Sequence, residues 1–197
     1  MGYHGPVNIE GNIPEATEGL NMPDSDQGRL ISAFEGQEPR IHHSAFVDIA
    51  ARIIGRVTLA AGVTVWPGAV LRADDEAISV GQGSAVLDLA LLESPHGHPV
   101  EVGEGALISH QACLHGASVG AGALVGIGAI VLDGAVVGAG ALVGAGAVVP
   151  PGMAVPAGVL VLGQPARVVR DLTPAEQDNV ARQLAELRAK AQRYRQG

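Results

Sequence analysis

Arg72, Glu93 and His115, with Asp88 and His110, are the residues with which this sequence could do chemistry. A guanidinium, two carboxylates and two imidazoles can hold an anion, exchange protons or bind a cation. His110 and His115 have four residues between them, as do Asp88 and Glu93. On that spacing alone, a pair of surface or interface histidines is the simpler reading. What brings the five together is the pattern of apolar residues around them.

That pattern is a six-residue beat. Leu59, Val65 and Leu71 open it, then Val80, Val86 and Leu92, then Val102, Ile108 and Leu114. It continues from Val119 through Val125, Val131, Val137, Val143, Val149 and Val155 to Val161. A hexapeptide period is a signature of a parallel β-helix, in which three short strands make one triangular coil. Coils stack because one alone cannot bury its apolar side. The beat slips three times, between Leu71 and Val80, Leu92 and Val102, and Leu114 and Val119. Counted from Leu59, all three slips fall in the third hexad of consecutive coils. Irregularities gathered at one corner mark a site. Neighbours along a strand alternate faces, so the residue after each anchor points outward. On the third face this stacks Arg72, Glu93 and His115 in steps of about 4.8 Å. On the second face, two residues past the anchor, Asp88 and His110 form a second column just before the same corner.

Composition agrees with this architecture and narrows the function. The 197 residues include 28 glycines and only 3% aromatics, which suits a narrow interior. The middle of the chain has no helical periodicity, which excludes a doubly wound α/β fold. A net charge of −8 argues against nucleic acid and anionic membranes as partners. One cysteine, Cys113, excludes an internal disulfide framework and reads as a small packed residue. The N-terminus lacks a basic stretch followed by an apolar core, and the apolar runs are punctuated by glycine, so the expected location is the cytoplasm.

Three segments follow. Residues 1–38 read as a loose extension, 39–171 as the β-helix, with Ile41, Val47 and Ile53 as its first anchors, and 172–197 as a C-terminal α-helix. Thr173-Pro174-Ala175-Glu176 is a capping box with Pro at the first helical position. Val180, Leu184, Leu187 and Ala191 form the helix's apolar stripe, and Arg182, Arg188, Lys190, Arg193 and Arg195 its expected solvated face. Asp75 and Glu76, in one irregular hexad, read as solvated.

Four stretches resemble the gamma-class carbonic anhydrases. Val65-Trp66-Pro67-Gly68-Ala69-Val70-Leu71-Arg72-Ala73-Asp74 is similar to the family's Arg-x-Asp strand, and Ile108-Ser109-His110-Gln111-Ala112-Cys113-Leu114-His115-Gly116 to its second and third metal-ligand segment. Residues 126–135 and 163–170 resemble the following coil and the exit motif. The resemblance implies a left-handed β-helix and a homotrimer with zinc, or another divalent metal, shared between subunits. It implies His115 as a ligand from one chain and His110 as a ligand from the next. Arg72 and Asp74 would form an intersubunit ion pair, and Asp88 would support the site through hydrogen bonds. The implied activity is a lyase reaction in which a metal activates water for addition to CO2.

The chain departs from the family at several positions. Glu93 stands at the first ligand histidine, Leu87 at the glutamine that contacts the metal's water, and Ser109 at a usual glycine. A tyrosine common near the exit turn has no counterpart in residues 159–162. Two histidines and a carboxylate are a workable zinc set, less positive than three neutral imidazoles. His96 or His98, in the inserted loop, is an alternative third ligand. Two further readings stand beside the lyase. One is a diverged enzyme, possibly metal-free, acting on a larger organic molecule by thioester hydrolysis, dehydration or cyclisation, with Glu93 as acid or base. The other is a non-catalytic trimeric scaffold whose N-terminal extension binds a partner.

Overall fold

The computed structural model describes residues 30–196. Most of the expected loose extension lies outside them. Within them, the sheet begins earlier than residue 39, because Ile31–Ser32 already pairs in parallel with Ile53 and Ile54. Short strands then wind as a left-handed parallel β-helix, which ends in an antiparallel return, Val159–Leu162 against Arg167–Asp171, and one α-helix, Pro174–Tyr194.

The six-residue beat sets the register. On the second face, Val47, Val65, Val86, Ile108, Val125, Val143 and Val161 stack one above another. On the third, Leu71, Leu92, Leu114, Val131 and Val149 do the same. These side chains turn inward and, apart from Val47, are closed off from solvent. Each buried aliphatic side chain contributes about 1.5–3 kcal/mol of transfer free energy, and this stack is the main source of stability.

Two strands do not stop at a corner. Arg52–Leu59 and Val70–Val80 run unbroken from the third face into the first. Val70, Leu71 and Arg72 pair with Leu91, Leu92 and Glu93, while Ile78, Ser79 and Val80 pair with Val100, Glu101 and Val102. The three extra residues of this hexad are therefore extended strand rather than loop. Gly55 permits the close stacking of the two strands. Its φ is +74°, and a Cβ there would collide with the carbonyl of Ala73.

The helix packs on its own β-helix, along the outer side of the second face. Val180, Leu184 and Ala191 are buried against a cluster that includes Phe46, Trp66, Leu87, Leu107 and Leu124. Thr173 caps it, and the Thr173–Glu176 capping box is formed. The stripe explains the outward apolar residues of the second face, which the hexad pattern alone leaves unexplained. The five residues of the expected solvated face are exposed, and three of them also reach the coils. Arg188 donates to the carbonyl of Gly83 at 3.2 Å, Arg195 to that of Ser44 at 3.1 Å and also to that of Ala45. The Lys190 ammonium sits 6.0 Å from the Trp66 ring centroid. Their stems reach sideways to the coils because the helix axis lies against them.

Candidate functional site

The expected third-face column forms. Arg72 pairs with Glu93, and Glu93 with His115, in the strand register. Side chains follow. Arg72 Nη2 contacts Glu93 Oε1, and Nη1 donates to Asp74 Oδ2 at 2.6 Å. The Asp74 hydrogen bond, opposed by burial and reinforced by Glu93, holds the guanidinium above its ordinary range. Glu93 Oε1 also lies 3.8 Å from His115 Nε2. Glu93 thus sits between a fixed cation and an imidazole, with Oε1 turned toward both.

One participant was missed by sequence reasoning. His115 Nδ1 is hydrogen-bonded to Asp133 Oδ1. A carboxylate only accepts, so Nδ1 carries the proton and Nε2 of the neutral ring keeps its lone pair. The signal was faint. Leu114 to Val119 is a hexad one residue short, so Asp133, two residues past its anchor, comes level with His115, one residue past its own.

The second column forms as well. Nδ1 of His110 lies 3.0 Å from Asp88 Oδ2, and both side chains are about half exposed. The contact is within ion-pair distance but lacks the hydrogen-bond alignment that His115 has with Asp133. The backbone at this corner is unusual. Residues that follow Asp88 and His110, namely Leu89 and Gln111, have φ of +61° and +59°, where the coils below and above carry Gly68 and Gly128. Leu89 is also 60% exposed. Exposed Ile49 and Ile127 occupy the same vertical line as Asp88 and His110.

The two columns lie on different faces. Among the described residues of one chain, no three His, Cys, Asp or Glu side chains converge as a metal ion would require. His96 and His98 are exposed and do not join either column. Their loop is fastened elsewhere. The Gly97 amide donates to Glu76 Oε1 at 3.2 Å, and Ser94 Oγ donates to the Glu76 carbonyl at 2.7 Å. His98 folds over Gly116 and Gly134. Glu76 is therefore a loop anchor, where the sequence suggested only a solvated carboxylate. Cys113 is half-buried, and burial, then Glu93, pushes its thiol up, away from the range of a nucleophile. Leu87 is only 5% exposed and packs beneath the helix, beside His110.

No family model matches the chain. Among curated proteins it is 36% identical over 166 residues to the carbonic anhydrase of Geobacillus kaustophilus, covering 84% of this chain and 91% of that protein. The chain belongs to the gamma-carbonic-anhydrase-like hexapeptide-repeat family. It is also 38% identical over 144 residues to the carnitine operon protein CaiE of Escherichia coli, covering 73% of this chain and 74% of CaiE. The match to gamma carbonic anhydrase 1 of Arabidopsis thaliana, at 37% identity over 96 residues, spans 34% of that mitochondrial protein and 46% of this chain. The match to YrdA of Escherichia coli spans 48% of YrdA. Among solved structures, a hexapeptide transferase family protein from Anaplasma phagocytophilum superposes with a TM-score of 0.81 and 31% identity, over 84% of this chain and 98% of that one. The N-acyltransferase AntD of Bacillus cereus, at 15% identity and a TM-score of 0.55, shares the fold. Leu87, where the resemblance implies a glutamine, is an apolar residue under the helix, and Glu93, where it implies a histidine, is a carboxylate paired with Arg72.

Proposed function

We propose that this protein is a metal-dependent hydratase of the gamma-carbonic-anhydrase type, with its active site between protomers of a homotrimer. One observation carries the reading. His115 Nδ1 is hydrogen-bonded to Asp133 and His110 Nδ1 lies 3.0 Å from Asp88, so each imidazole has a carboxylate placed to orient it and leave Nε2 for a metal, as metal-ligating histidines need. The donor set fits zinc or another divalent ion, with His115 and Glu93 from one protomer and His110 from the next. Such an ion acidifies water and polarises a carbonyl substrate.

The chain's own residues do the rest. Asp133 and Asp88 hold the imidazoles. Arg72, fixed by Asp74, holds the Glu93 carboxylate in place and leaves Oε2 as its freer oxygen. Arg72, Asp74, Glu93 and Asp133 together are net negative, so the pocket favours a cation. Glu93 Oε1 lies 3.8 Å from His115 Nε2, which puts the carboxylate beside the proposed ligand nitrogen.

A second reading rests on Leu87. An apolar side chain beside His110 cannot hold a water molecule, but it can hold hydrocarbon, and it favours a substrate larger than CO2. Elemental analysis of protein purified without added metal tests the first reading. We expect about one ion per protomer, and loss of most of it in His110→Ala and His115→Ala. Stoichiometric metal in both variants would overturn the ligand assignment. A CO2 hydration assay on the same samples then separates the two substrate readings.

A further inference from the structure

A groove of ≈ 420 Å³ lies between the second face and the C-terminal half of the helix. Its coil side is Leu87 and His110, and its helix side includes Glu186, Leu187, Lys190 and Arg193. Lys190 stands three or four residues from each of Glu186, Leu187 and Arg193, which brings these side chains to one side of the helix. The volume falls in the range of sites for small organic molecules and far exceeds what a triatomic gas fills. The chemistry is divided along it. Leu87 and Leu187 give hydrocarbon surface. Lys190 and Arg193 outweigh Glu186 by one positive charge. Among the described residues neither cation has a carboxylate partner within ion-pair distance. His110, with Nδ1 3.0 Å from Asp88, joins this groove to the proposed reactive centre.

We infer that the groove is a subsite for an organic carboxylate with a short hydrocarbon body. The carboxylate is held by Lys190 and Arg193, and the hydrocarbon crosses Leu187 to Leu87, which brings the far end of the molecule beside His110. Charge-assisted bonds supply the selectivity for an anion, and burial of methylenes supplies the dependence on length. This deepens the reading of a larger organic substrate and rests on the placement of His110 in the reactive centre.

Calorimetric titration of the full-length protein with acetate, butyrate and hexanoate tests the inference, with hexanamide as the neutral control. Metal content is measured on each preparation. Affinity is expected to rise about two- to fourfold per added methylene, and hexanamide to bind at least about tenfold more weakly than hexanoate. Lys190→Ala with Arg193→Ala should weaken all three acids by a similar factor. Leu87→Gln should flatten the length series while the effect of the two cations persists. Equal affinity for acetate and hexanoate, or affinities unmoved by the loss of both cations, would overturn the subsite; the second result would mean that the acids bind the metal alone. The metal reading fails separately. If His110→Ala keeps its metal and the length series stands in the parent, the groove is a site and the ligand assignment is wrong. If the metal is lost and the series is flat, the groove assignment is wrong and the metal centre stands.

Discussion

Asp133 and Asp88 each face the Nδ1 of a histidine, and only Asp88 was visible in the sequence. Asp88 shares a column with His110 at a constant offset from its anchor, so the period reveals it. Asp133 meets His115 only because one hexad is a residue short, and a period cannot report what happens where it breaks. If Asp133 orients a ligand, Asp133→Asn should lower metal affinity by about 10- to 100-fold with the fold intact, as loss of a supporting carboxylate does elsewhere. Equilibrium dialysis against a chelator reads this, and unchanged affinity would make the contact merely structural. The column Arg72, Glu93, His115 was legible because strand register is a matter of counting. The neighbours of Leu87 were not, because they come from a helix about a hundred residues later, and nothing local specifies where that helix lies.

At the scale of elements, the helix was legible in its start, its length and its apolar stripe, since each is written in residues close together. Its docking was not, and neither was the role of Arg188 and Arg195, which reach backbone carbonyls of the coils. The start of the helix is tied to the exit strand. Arg170 donates to both oxygens of Glu176 at 2.8 and 2.9 Å, and the Thr173 amide and hydroxyl donate to the same carboxylate. These contacts, Arg170 foremost, lower Glu176 from its ordinary 4.5 to about 2. A carboxylate depressed on folding stabilises the folded state fully above its unfolded value and loses that contribution as pH falls through its folded one. The attachment should therefore weaken between pH 4.5 and about 2. The measurement is helical circular dichroism during acid titration. The component in that window should be absent from Glu176→Gln, and its persistence there would assign it to another group.

Part of the molecule's exposed apolar surface lies around the second column. Ile49, Leu89 and Ile127 are exposed around Asp88 and His110. A leucine in the left-handed region costs about 1–2 kcal/mol, and strain of this kind is retained where it serves something. An apolar rim around a polar pair suits a contact between copies. Light scattering should find a trimer at micromolar concentration, and Leu89→Gly should shift it toward monomer without lowering protomer stability. A monomeric parent would sink the shared-site reading, and an unmoved trimer would remove Leu89 from the contact. The helix also sets a relation between two lengths. Its 21 residues extend about 31 Å, close to the roughly 29 Å of the seven strands stacked on the second face. The two scales are divided differently, however, with a turn every 5.4 Å and a coil every 4.8 Å or so. They act as a vernier. Successive coils, nearly identical inside, meet the helix at successively different angles outside, so Arg195, Lys190 and Arg188 each find a different partner on the rungs below. A repetitive prism can in this way present at the rung of His110 an opening whose lining differs from that of the openings at other rungs. A change in coil number would slide the two scales past each other and move that opening to a different rung.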